Sequence, residues 1–202
     1  MEAVVPAPGG IPEAYLRRVG PGDKIRVKKK PDHERVLRCT SVIRDKQRKL
    51  DRYREIGIIG DEDCVVLAVN ICRLSDWDPD GNGISQYPLA MEAVLPVGPL
   101  EIRRSPEGAI APSANNVSRY SVKKTDGTEI ETANFFNPDF ARVSAVLQAH
   151  QDNMHERKLI LAIIHNPCAS NKLPLGLFGA CREFVATEQE DMFHVQDRCI
   201  DL

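Results

Sequence analysis

Residues 63–74 read Asp-Cys-Val-Val-Leu-Ala-Val-Asn-Ile-Cys-Arg-Leu, and seven of the eight residues from 64 to 71 are apolar, three of them valine. The run is too short for a useful helix and too continuous for a half-exposed strand. It predicts a strand at about 64–72 with both faces buried. Residues 159–164, Leu-Ile-Leu-Ala-Ile-Ile, have the same character and predict a second such strand at about 159–165. Two doubly buried strands imply a sheet covered on both sides. The fold class is therefore α/β or α+β, with a central mixed sheet in which the two runs are neighbours or near-neighbours.

Upstream of the first strand lies the clearest helical pattern, at about 33–56. Val36, Thr40, Ile43, Gln47, Leu50 and Tyr53 recur at intervals of three and four and share one face, while Arg35, Arg38, Arg44, Lys46, Arg48, Lys49 and Arg52 spread over the rest. Asp32 suits the N-cap and Gly57 the C-terminal stop. Downstream, residues 85–95 open with Ser85 and carry Pro88 at a first turn, which predicts a helix at about 86–96. Residues 98–104 read as a strand. Residues 105–140 are polar and turn-rich, and form an insertion whose hairpin closes around Asp126-Gly127.

Two more strands are expected. Residues 143–147 should lie beside 159–164 across a short charged connection, and 181–187 should form a last short strand. The loop 165–179 carries Leu173, Leu175, Leu177 and Phe178 and is expected to fold back over the sheet, because that much apolar surface is costly in water. One domain over 1–187 and an acidic tail over 188–202 complete the expected organisation.

The totals agree with a water-soluble domain. Of the 202 residues, 42% are hydrophobic and 28% charged, and no window approaches the ~20 apolar residues that a bilayer crossing takes. None of the six cysteines forms a Cys-x-x-Cys pair. Reduced thiols in a cytoplasmic protein with no membrane partner are the expectation. The net charge of −2 conceals an asymmetry: residues 1–54 carry +8 and the remainder −10. A basic N-terminal quarter, with Lys28, Lys29 and Lys30 in one segment and Arg35 and Arg38 on the helix, suits the phosphates of a nucleic acid, and it also suits solvated helix faces.

Most chemical motifs are excluded by their spacing. Asp76, Asp78, Asp80 and Gly81 match the start of a calcium loop, but Tyr87 stands where the bidentate glutamate belongs and Pro79 interrupts the loop. His150 with His155, and His165 with Cys168, make poor zinc sets. There is no Gly-x-Ser-x-Gly, no phosphate loop and no Gly-x-Gly-x-x-Gly.

One arrangement remains. Glu2 lies on a short apolar strand, Glu2-Ala-Val-Val-Pro, and is followed by a basic segment, the helix bearing Lys46 and Gln47, and the buried strand 65–70. With Gly57-Ile-Ile, Gly83-Ile-Ser-Gln-Tyr-Pro and His165-Asn-Pro, this order resembles an uncharacterised bacterial branch of the restriction-endonuclease-like PD-(D/E)XK superfamily.

The resemblance implies a magnesium-dependent endonuclease fold acting on phosphodiester bonds. Glu2 would be the metal carboxylate, and Lys46 and Gln47 would replace the lysine that the pattern Glu-x-Lys places where Val4 stands. It further implies an aspartate on a strand before Glu2, which these residues do not include. The expectation is thus a fragment or degenerate member with little cleavage of its own. The alternatives are a non-catalytic module that grips nucleic acid through Lys28–Lys30 and the helix arginines, and a protein-interaction domain that uses the loop 173–178.

Overall fold

The computed structural model describes residues 2–4, 31–74, 81–101, 115–151, 160–179, 181–189 and 192–199. The expected basic segment 24–30, the acidic turn 75–80 and most of the first part of the insertion lie outside them.

The central strand forms as expected. β2 (Val66–Asn70) buries Val66, Leu67, Ala68 and Val69 in succession, so both of its faces are covered. β1 (Glu2–Val4) pairs with it in parallel, Glu2 opposite Leu67. β7 (Ala145–His150) flanks β2 on the other side, also in parallel, and pairs antiparallel with β8 (Ile160–His165). β2 and β8 are therefore near-neighbours with β7 between them. β9 (Arg182–Gln189) lies parallel to β8, and β10 (Met192–Cys199) pairs antiparallel with β9. The order in this six-stranded mixed sheet is β1-β2-β7-β8-β9-β10.

The expected acidic tail is thus in part a sheet strand. Its alternation turns Val195 toward the core, and Asp197 pairs with Arg182 across the hairpin. Two smaller antiparallel pairs complete the strands. β3 (Val97–Glu101) pairs with β4 (Asn115–Ser118), and β5 (Ser121–Lys123) pairs with β6 (Glu129–Glu131). The β5–β6 hairpin turns at Asp126-Gly127 as its sequence demands, with the Asp126 carboxylate accepting the Thr128 amide at 2.8 Å.

The expected long helix forms with a tightened turn near its end. α1 (Asp32–Gln47) passes into α2 (Leu50–Glu55) through Arg48 and Lys49, where the Lys49 amide bonds to the carbonyl of Lys46 at 3.1 Å instead of one residue further back. Most of the expected stripe is buried: Val36, Thr40, Ile43 and Leu50 are inaccessible, while Gln47 and Tyr53 are half-buried. Asp32 is not the cap. Pro31 occupies that position, and Asp32 is the first helical residue, 3.4 Å from Arg35. The C-terminus closes as expected. Gly57 adopts φ 73°, its amide donates to Arg54 O, and the Ile58 amide donates to Tyr53 O, the paired bonds of a left-handed cap.

The helix expected at 86–96 is shorter, and α3 spans Leu89–Val94. Gln86 has φ 68°, which no helix allows, and Leu95 is extended because the proline ring of Pro96 crowds a helical predecessor. α3 is buried throughout and packs on α1.

Strand alternation sorts the sheet into two faces. Leu67, Val69, Val146, Ile164 and Phe184 point into a large core beneath α1 and α3. Val66, Ala68, Ala145, Leu147 and Ile163 point the other way, into a smaller cluster with Leu173, Cys181 and Phe178. The loop 165–179 folds back only in part. Leu173 is buried, whereas Leu175 and Leu177 stay 50% and 59% exposed. Among the described residues no helix is long and apolar enough to cross a membrane.

Candidate functional site

α1 runs against the direction of β1 and β2. At its start the Arg35 guanidinium reaches the carbonyl of Asn82, beyond the end of β2. At its other end Leu50 lines the same small cleft as Val65, just before β2 begins, a space of about 150 Å³. The end of α1 that carries Lys46 and Gln47 therefore stands where β2 begins, toward β7, since Gln47 bonds to Asp139 in the segment leading into β7. Glu2 lies on β1, on the side of β2 away from β7.

That end of α1 is firmly built. Gln47 donates through Nε2 to the carbonyl of Asp139 at 2.7 Å. Arg44 donates through Nε to Asn134 Oδ1 at 2.7 Å, and its Nη2 lies 3.5 Å from Glu131. Asn134 is itself buried and donates to Ala93 O at 2.6 Å. Two short 3-10 helices, Asn134–Phe136 and Pro138–Phe140, are thereby fastened to the second half of α1. On the strand side, the amide of Ser144 donates to Val65 O and the Val65 amide to Ser144 Oγ.

Two acids of the loop entering β2 are engaged elsewhere. Asp61 pairs with Arg54, and Asp63 accepts the Gly60 amide. Among the described residues, no group of three or more His, Cys, Asp or Glu stands where it could hold a metal ion. A magnesium ion takes one or two carboxylates together with phosphate and water oxygens. Glu2 as the sole assigned carboxylate fits that need poorly.

The predicted nucleic-acid contacts separate. Lys28, Lys29 and Lys30 lie outside the described residues. Arg35 is 1% exposed, held between Asp32 and the Asn82 carbonyl, so its charge is not available to a surface phosphate. Its position on the buried side of α1 explains this: it stands beside Val36 and Cys39, where the helix meets the segment after β2. Arg38 is exposed as expected, and so are Lys49 and Arg52 further along the same side of α1–α2.

Two buried ion pairs carry most of the remaining polar chemistry. Glu92 is fully buried. It takes Arg119 Nη2 at 3.0 Å on one oxygen and the Ser85 amide at 2.8 Å on the other. Gly83 packs so closely that a Cβ there would stand 1.9 Å from the Glu92 carboxylate, so only glycine fits. A charged residue within the apolar run 89–95 is the signal that could have marked this network.

On the opposite face His165 Nε2 lies 3.5 Å from Glu183 Oε2, with Glu183 fully buried. The second Glu183 oxygen accepts the Gly176 amide at 2.9 Å and so ties the loop to the sheet. Burial holds the His165 imidazole below its ordinary pKa against the opposing attraction of Glu183. Burial first, then the Glu183 charge, pushes the Cys181 thiol up. Cys39, enclosed beneath α1, is pushed up to about 12 by burial. Neither of these thiols is an activated nucleophile.

Comparison with known protein families, curated proteins and solved structures finds no match to this chain.

Proposed function

We propose that this chain is a nuclease-like fold directed at the backbone of nucleic acids, a fragment or degenerate member whose catalytic set is incomplete. What supports this reading is the order of elements: β1, which carries Glu2, pairs in parallel with β2, and α1, which carries Lys46 and Gln47, packs on the same sheet. Phosphodiester hydrolysis calls for a carboxylate and a water-positioning group converging on one phosphate. The candidate set is one carboxylate, a lysine and a carboxamide. The donor set falls short of a firmly held metal, so the chain by itself binds nucleic acid and cleaves it little or not at all.

The test has two parts. Binding to DNA and RNA measured against salt should fall log-linearly, as counterion release requires. Cleavage with magnesium or manganese should be marginal for this chain, and should rise when a longer form supplies an aspartate-bearing strand beside β1. Glu2→Gln should abolish that gain, and Lys46→Ala should reduce it. A longer form that stays inert, together with binding insensitive to salt, would overturn the proposal.

A second reading, binding without chemistry, has its own observation. Arg38, Lys49 and Arg52 lie exposed along one side of α1–α2, and gripping phosphates needs only such charge. It predicts the same salt dependence, with no cleavage in any form of the protein.

A further inference from the structure

Beside the end of α1 lies an open cleft of about 310 Å³, lined by Tyr120, Glu131, Ala133, Phe136, Asn137 and Pro138. That volume falls at the lower end of the range for small-ligand sites, ~300–1,000 Å³. Tyr120 is 56% exposed, a large ring presented to solvent beside the hairpin. Phe136, half-buried against the main core, forms the other aromatic wall.

The rim is polar in a specific way. Glu131 offers a carboxylate, of which one oxygen faces Arg44. Asn137 has its carboxamide oxygen fixed by the Asp139 amide at 2.9 Å, which leaves its NH2 as the group it can offer. The site thus pairs aromatic walls with one strong acceptor and one donor.

We infer that this cleft receives one unpaired nucleobase of a single-stranded nucleic acid, stacked on Tyr120 and Phe136. Of the four bases, cytosine and adenine show on their Watson–Crick edge an exocyclic amino group beside an unprotonated ring nitrogen, whereas guanine has N1–H at that place. The amino group donates to Glu131 and the nitrogen accepts from Asn137. Thymine and uracil carry a carbonyl where the amino group should be, and a carboxylate repels it. The inference rests on the nucleic-acid reading above and names the form of substrate that this end of α1 takes. Arg44 bonds to Asn134 beside the cleft and approaches Glu131 at its rim, while Gln47 bonds to Asp139 just beyond it. A base seated here therefore brings its backbone alongside the second half of α1, where Lys46 and Gln47 stand.

The experiment is fluorescence anisotropy with a labelled short oligodeoxycytidine, in chelator so that cleavage plays no part. The comparison strands are an oligothymidine and an oligonucleotide of the same length with abasic sites. Stacking of a base on an aromatic ring is worth ~1–3 kcal/mol, so Tyr120→Ala should weaken binding of the cytidine strand by about 5- to 150-fold. Tyr120→Phe, which keeps the ring, should stay within about twofold of the parent. Glu131→Gln should narrow the preference for cytosine over thymine without abolishing binding. Tyr120 lies at the surface, and an unchanged melting curve for each variant excludes unfolding as the cause.

The inference is overturned if the abasic strand binds as tightly as the cytidine strand, or if Tyr120→Ala leaves affinity unchanged. Either result, with salt-dependent binding retained, leaves the nuclease-like reading standing. Base-dependent binding through Tyr120, with every form inert toward phosphodiesters, would remove that reading and keep the cleft.

Discussion

The two faces of the central sheet are closed by different means. On one face α1 and α3 lay continuous apolar surface over Leu67, Val69, Val146 and Ile164, and the Glu92–Arg119 pair is locked between the Ser85 loop and β4. On the other, the smaller cluster around Ala68, Leu147 and Ile163 meets a loop that contributes Leu173 and Phe178 and leaves Leu175 and Leu177 in water. Asn166, Ser170 and Asn171 tie its first half to neighbouring backbone, and Glu183 ties its second half through the Gly176 amide. The difference teaches where rigidity is concentrated. The helical face is interlocked by many small contacts, and it holds the edge bearing Lys46, Gln47 and the aromatic cleft. Beyond Lys172 the polar bond that ties the loop to the sheet is that of Glu183 to the Gly176 amide.

Truncation should expose this contrast first. Leu67→Ala and Ile163→Ala each remove a fully buried side chain, a loss of about 2–5 kcal/mol in urea unfolding. Leu67→Ala should fall toward the upper end of that range, because interlocked helices cannot settle into the space. Ile163→Ala should fall toward the lower end, because a loop can. If Ile163→Ala costs more than Leu67→Ala, the contrast is broken.

The anchor comes next. Glu183→Gln keeps the shape but weakens both the His165 and Gly176 contacts, and should cost about 1–3 kcal/mol. Amide exchange should quicken over 173–179 while α1 is unaffected. Uniform quickening across both faces would mean that the loop is no separate unit.

A smaller effect follows from pH. The His165 pKa is held down by burial, so the neutral ring is the form that the folded state favours. Its contribution to stability is complete above the unfolded value of 6.5 and is lost as pH falls through the folded value. Lowering pH from about 7 to about 5 should therefore lower the melting temperature more in the parent than in His165→Gln. Parallel curves for the two proteins would sink this assignment.

The smallest test does not perturb the fold at all. Cys64 and Cys168 are exposed and should react promptly with a thiol reagent, whereas Cys39, with its pKa pushed up to about 12, should react only on unfolding.

The same contrast explains which parts of the molecule the sequence discloses. β2 and β8 were legible because doubly buried strands need unbroken apolar runs, and the α1 stripe because helix burial repeats at three and four residues. Gly57 marked the helix stop by its conformational freedom. What stayed hidden depends on contacts distant in the chain. Arg35 looks like any surface arginine until Asn82 is brought to it, and Glu183 gives no local sign that it will anchor Gly176. α3 shrank because two neighbouring residues cannot be helical. The expected tail became β10 because its alternation finds β9. The candidates Glu2, Lys46 and Gln47 rest only on the order of strand, helix and strand. The aromatic cleft was missed because Tyr120 and Phe136 meet only after the hairpin folds against α1.

The claim that ties these observations together is that nucleic acid meets the α1 edge and not the loop face. Hydrogen–deuterium exchange with and without a single-stranded oligonucleotide tests it directly. The account predicts slowed exchange over residues 44–50 and 119–138, and no change over 173–179. Protection confined to 173–179, or no protection anywhere at saturating oligonucleotide, would contradict it.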